Sequence, residues 1–132
     1  MTVQELLATH TQCVGDLDAL ARCVEACGAC STSCTICADA DLAESDVVEM
    51  TRCIRLCLDC ADTCVATGRV VARQTAREIE TMRALLEACR TACRACADEC
   101  HRHAAHHAHC RMCEETCRAC EEACAALLAI TG

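Results

Sequence analysis

The spacing of the cysteines constrains this chain more than any other feature. Cys23, Cys27, Cys30, Cys34 and Cys37 are separated by 4, 3, 4 and 3 residues, the interval at which one face of an α-helix recurs. The same rhythm returns at Cys53, Cys57, Cys60 and Cys64, at Cys89, Cys93, Cys96 and Cys100, and at Cys110, Cys113, Cys117, Cys120 and Cys124. Leu or Ile normally fills such a stripe, because it is the face a helix buries. Four thiol stripes packed on one another would line the core of a bundle with sulfur.

The rest of the chain supports helices. It has no Pro, only 4 Gly and no aromatic residue, and its apolar content rests on Ala, Leu, Val and Cys, of which Ala and Leu are strong helix formers. The pattern predicts an all-α fold: an antiparallel four-helix bundle with a short extra N-terminal helix, as one domain over 1–132. Helices are expected over approximately 2–12, 16–38, 46–74, 76–104 and 107–130. Leu6, His10 and Cys13 would share a face of the first. Gly15 weakens that helix and Asp16 can cap the next. The acidic run Asp39–Asp46 falls out of phase and reads as a solvated loop. Asp46 with Glu49, and Thr75 with Glu78, resemble capping boxes. The turn near Ala105 rests on antiparallel register alone. The interval from Cys100 to Cys110 also suits one continuous helix, and with it a long hairpin that dimerises.

In the bundle the two ends differ in kind. Leu17, Leu20, Val71, Ile79, Met82, Leu86, Leu127 and Leu128 would form an apolar plug at the end that holds both chain termini. The opposite end would gather the histidines, with Met50 one turn before Cys53 as a further soft ligand. His103 and His107 continue the stripe from Cys100 to Cys110 by gaps of 3, 4 and 3, which makes them candidate ligands or access groups. His101, His106 and His109 fall off that stripe and read as a solvated turn. Cys13 stands apart from the four runs and is a candidate ligand on chemistry alone.

The formal charge of −8 and the lack of aromatic rings argue against nucleic-acid binding. The opening MTVQELLATH has neither a basic segment nor a continuous apolar run, and no apolar stretch is long enough to span a membrane, so a cytoplasmic protein without membrane contact is expected. Nineteen cysteines in such a compartment argue against a disulfide scaffold, and neighbours on one helix face have Cβ vectors that run side by side. Soft-metal binding fits better. Each Cu(I) carries one positive charge, so one ion per thiolate leaves the interior near neutrality. Tetrathiolate zinc would leave two negative charges per site in a low-dielectric core with no Arg on the stripes. A zinc reservoir, or an iron–sulfur protein with a redox or electron-transfer role, stands as the alternative. An enzyme is not expected: the Glu-x-x-His pairs of di-iron bundles are absent, and no single exposed CxxC stands out as a redox centre.

The repeated CxxxCxxC runs on four helices and the histidine-rich HRHAAHHAHC segment resemble the cytosolic branch of the copper storage proteins over nearly the whole chain. The resemblance implies a four-helix bundle filled with several Cu(I) ions per chain, often assembled as a homo-tetramer. Copper donor or acceptor proteins are the further partners it allows. It also implies copper access at the histidine end, which His103, His107 and His109 fit.

Overall fold

The protein is described by a computed structural model covering residues 1–13 and 15–131. Five helices follow in order: α1 (Val3–Ala8), α2 (Leu17–Leu42), α3 (Thr51–Ala72), α4 (Ile79–His103) and α5 (Ala108–Ile130), with a 3-10 turn at Val47–Met50 leading into α3. α2 packs against α3 and α5, and α4 against the same two, so the four long helices close into a ring. α1 lies on the outside of α2. The chain reverses between His103 and Ala108, which excludes the continuous-helix alternative. Among the described residues no helix is long and apolar enough to cross a membrane.

Several local expectations change. α1 is only six residues long, and Leu7 rather than Leu6 is its buried residue; His10 and Cys13 lie in the loop beyond it. Asp16 caps α2 as its position suggests, its Oδ1 accepting from the Ala19 amide at 2.9 Å. α2 then runs four residues past the expected stop at 38, because Ala38–Leu42 contains no Gly or Pro to end it. Asp41 therefore sits on the buried face of a helix rather than in a solvated loop. Neither capping box forms. The Asp46 side chain makes no cap bond and reaches His107 instead. α4 is capped by Glu78, which accepts from the Thr81 amide at 2.8 Å, while the Thr75 hydroxyl faces His10 Nε2 at 3.3 Å.

The core has two parts. Leu20, Val71, Met82, Leu86, Leu127 and Leu128 are buried together at the end that holds the α3–α4 turn, with Leu17 and Ile79 at the margin. The remaining length of the bundle is filled by sulfur. Such narrow side chains require close helix approach. Gly68 supplies some of it: a Cβ there would lie 3.3 Å from the Cβ of Cys27.

Candidate metal centre

Each long helix presents its cysteines at i, i+3 and i+4 toward the bundle axis, so the four stripes interdigitate. All the cysteines from Cys23 to Cys124 are buried, and all nineteen are free thiols. Sulfur follows sulfur without a break. Cys37 faces Cys110 at 3.9 Å and belongs to a group with Cys53, Cys57 and Cys100 in which all ligand atoms lie within 4.8 Å of one another. Cys57 meets Cys96 at 3.6 Å, and Cys96 meets Cys34 at 3.9 Å. Cys34 touches Cys30, Cys113 and Cys117 at 3.8, 3.7 and 3.6 Å. Cys30 meets Cys60 at 3.7 Å, and Cys60 meets Cys64 and Cys93 at 3.9 and 3.7 Å. Cys64 reaches Cys89 and Cys120 at 3.7 and 3.9 Å, and Cys120 reaches Cys27 at 3.8 Å. Cys23 and Cys124 finish the column beneath the apolar plug. A metal–thiolate bond of about 2.3 Å, the value for zinc, lets one ion bridge two sulfurs up to about 4.6 Å apart.

The four-sulfur groups overlap. Cys120 belongs to one with Cys27, Cys89 and Cys124 and to another with Cys30, Cys64 and Cys93. Cys30 joins that second group to a third with Cys34, Cys60 and Cys117, and Cys34 and Cys117 join the third to a fourth with Cys96 and Cys113. Separate tetrahedral sites would need separate sulfurs. Shared ones suit ions of low coordination number linked by bridging thiolates.

The column favours a mixture of protonation states. Cys23 is drawn down to about 5 by its contact with Cys124 first and Cys27 second, and Cys96 to about 7, chiefly by Cys100. Cys34 is held well above the ordinary thiol value by Cys113 and Cys117, with burial adding to the rise. Without a cation the interior keeps protons on many of these sulfurs.

At the turn end the sulfur column opens onto nitrogen and oxygen. His109 stands closest to it, with Nδ1 3.3 Å from Cys37 Sγ and 3.6 Å from Cys110 Sγ; its assignment to a solvated turn is thereby corrected. His103 ends α4 three residues after Cys100 and His107 is the N-cap residue of α5 three residues before Cys110, so the break between them places the two on separate stripes rather than on one continuous helix. His103 Nε2 donates to Glu99 Oε2 at 2.9 Å, and buried Glu99 also accepts from Arg102 at 2.9 Å. His107 has a carboxylate at each ring nitrogen: Glu44 Oε2 at 3.1 Å from Nδ1 and Asp46 Oδ2 at 3.2 Å from Nε2. Asp46 first among these raises its pKa, and His107 in turn lowers that of Asp46. Met50 is fully buried just ahead of Cys53. His101 and His106 are exposed, as expected. Cys13 is not brought to the column by any sulfur contact among the described residues; its Sγ faces Gln74 Oε1 at 3.9 Å, beside the α3–α4 turn.

Asp41, Glu44, Asp46 and Glu99 escaped the sequence reading. Asp41 is fully buried, with Oδ1 3.7 Å from Cys110 Sγ and 3.7 Å from His109 Nδ1. Burial, then the neighbouring Cys53, pushes its carboxyl up to about 8. The signal was present: Asp41 lies four residues after Cys37 and continues the stripe of α2 with an oxygen ligand.

A profile of the family described as copper storage protein matches residues 16–129. The chain also superposes on the copper storage protein Ccsp of Streptomyces lividans loaded with 10 copper equivalents, with a TM-score of 0.94 and 50% identity over 98% of this chain and 99% of that one. A structure of the cytosolic copper storage protein of that organism with five coppers gives a TM-score of 0.86 and 53% identity over 87% of this chain and 96% of the other. An uncharacterized cysteine-rich protein of Bacillus subtilis (strain 168), YhjQ, is 36% identical over 91 residues, 69% of this chain and 79% of the relative.

Proposed function

Because the chain belongs to the copper storage protein family, we propose that it stores copper in the cytosol as Cu(I), bound by the thiolates of the cysteines from Cys23 to Cys124. The sharing of sulfurs between neighbouring four-sulfur groups carries this reading. An ion of single charge that accepts two or three thiolates can occupy such a lattice while leaving the interior close to neutral. Zinc in separate tetrathiolate sites cannot use a sulfur twice without bridging, and would leave excess negative charge where burial makes it costly. The role is that of a binding protein rather than an enzyme.

Copper reaches the column at the histidine end. His109 touches the first thiols, and His103, His107 and Met50 stand around it, so an ion can pass inward by ligand exchange without being left bare. At the opposite end the column is capped by buried Leu20, Val71, Met82, Leu86 and Leu127. Cys13 takes no part in the column. The chain assembles as a homo-tetramer; exposed Ile36 on α2 and Met112 on α5 flank a groove that a second copy would cover. Sedimentation of the apo-protein tests that assembly.

Anaerobic titration with Cu(I) against a competing chelator tests the function. Uptake on the order of one ion per buried thiol supports a store. Saturation after a few ions would favour a redox protein, and tight zinc binding that Cu(I) fails to displace would favour a zinc reservoir.

A further inference from the structure

Three of the buried side-chain nitrogen and oxygen atoms that lack a hydrogen-bond partner among the described residues lie in one place: Asp41 Oδ2, Asp46 Oδ1 and His109 Nε2. They surround a pair of imidazoles, His107 and His109, whose ring centroids are 5.5 Å apart. Glu44 stands between the two rings. Its Oε2 is 3.1 Å from His107 Nδ1 and its Oε1 is 3.4 Å from His109 Nε2. The far nitrogen of each ring is backed by a second carboxylate, Asp46 at 3.2 Å for His107 and Asp41 at 3.7 Å for His109. One front nitrogen from each ring thus converges on a shared carboxylate, while Asp46 holds the His107 ring from behind and the far nitrogen of His109 rests against Cys37 Sγ at 3.3 Å with the Asp41 carboxyl beyond it. Histidines that ligate metals are oriented in this way, by a carboxylate on the other ring nitrogen.

The donor set differs from that of the sulfur column. Two imidazoles and a carboxylate are borderline-to-hard ligands, and three carboxylates in a partly buried cluster call for more than one positive charge. Among first-row divalent ions Cu(II) binds such sets most strongly. We infer that His107 Nδ1, His109 Nε2 and Glu44 form a separate site for a divalent cation, Cu(II) foremost, held in shape by Asp46 and Asp41. The inference deepens the storage reading by giving the mouth of the column a ligand field and a preferred oxidation state of its own. It accounts for the unpartnered His109 Nε2, which a cation would engage directly. Asp41 and Asp46 would then act through the rings as positioning residues.

The test uses protein loaded anaerobically with Cu(I) until no thiol reacts with a thiol reagent, then titrated with Cu(II) and read by electron paramagnetic resonance. The expected result is a single Cu(II) per chain with superhyperfine splitting from two nitrogens. His107→Ala and His109→Ala should each remove one of those couplings. Glu44→Gln should raise the dissociation constant at least about tenfold, and Asp46→Asn by about 10- to 100-fold, as for other partners that orient ligating histidines. Helicity by circular dichroism controls for folding of each variant. A spectrum without nitrogen coupling, a sulfur-ligated spectrum, loss of the signal through reduction, or identical binding by Glu44→Gln would each overturn the inference. The Cu(I) count of the same sample is read first and reports on storage separately. A full Cu(I) complement without nitrogen-bound Cu(II) sinks only the inference, whereas a poor Cu(I) complement with nitrogen-bound Cu(II) sinks only the storage reading.

Discussion

A carboxylate removed from water keeps its proton to unusually high pH, and Asp41 shows what that costs the fold. Its folded-state pKa rises from the ordinary 3.8 to about 8. Between those values the folded protein holds a proton that the unfolded chain has released, so stability falls as pH rises through that window. His107, whose pKa is also raised, contributes stability that is likewise lost as pH rises through its folded value. Asp41→Asn removes the first effect and weakens the second, since Asp41 is one of the carboxylates that raise His107. Its reduced apo-protein should lose less stability between about pH 4 and pH 8 than the parent, measured by urea denaturation; identical slopes would exclude this role for Asp41. Single thiols should differ just as clearly. Cys13→Ser should leave copper capacity unchanged, since its sulfur contacts Gln74, whereas Cys34→Ser should lower capacity by at least an ion, because its sulfur is common to two groups; metal analysis of saturated protein separates the two. The contrast also marks what could be read from residues alone. The thiol column was legible because its period is that of a helix. Asp41 was not, because an acid within an acidic run looks solvated until α2 is known to continue past Ala38. Its place four residues after Cys37 was the clue that outweighed composition.

Individual elements carry smaller, local effects. Asp16 accepts from the Ala19 amide at the start of α2, and Asp16→Ala should reduce the stability of the apo-protein by about 1 kcal/mol, the usual size for loss of such a cap; chemical denaturation measures it, and no change would mean that another group satisfies that amide. Helix existence and order were legible from the stripes, but helix ends were not. Thr75 and Glu78 matched a capping-box pattern, yet Thr75 is taken up by His10 and Glu78 itself caps α4. The α4–α5 turn had no punctuating residue at all; antiparallel register of the thiols was the only sign of it. That turn carries His107, and α4 ends on His103. Replacing both by Ala should slow Cu(I) uptake and chelator-driven removal while lowering capacity by no more than the outermost ions, as followed by stopped-flow mixing and total metal. Unchanged rates would refute access at this end.

For the molecule as a whole, the buried thiols act as one titrating body. Most must lose a proton to bind metal, so loading should release about one proton per Cu(I) near neutral pH, where a free thiol has a pKa of about 8.5, and apparent affinity should fall as pH drops. Proton release in weak buffer during titration reads this directly; far less than one proton per ion would show that thiolate is not the main ligand. The hydrocarbon plug of Leu20, Val71, Met82, Leu86 and Leu127 has a consequence of a different sort. If copper enters only at the other end, as proposed, the column is a blind alley, and ions within it cannot overtake one another without unbinding their neighbours. Such a reserve behaves as a stack rather than a pool: the ion that arrived last is the first to leave, and those beside Cys23 and Cys124 remain until everything above them has gone. The age of each ion is written in its depth.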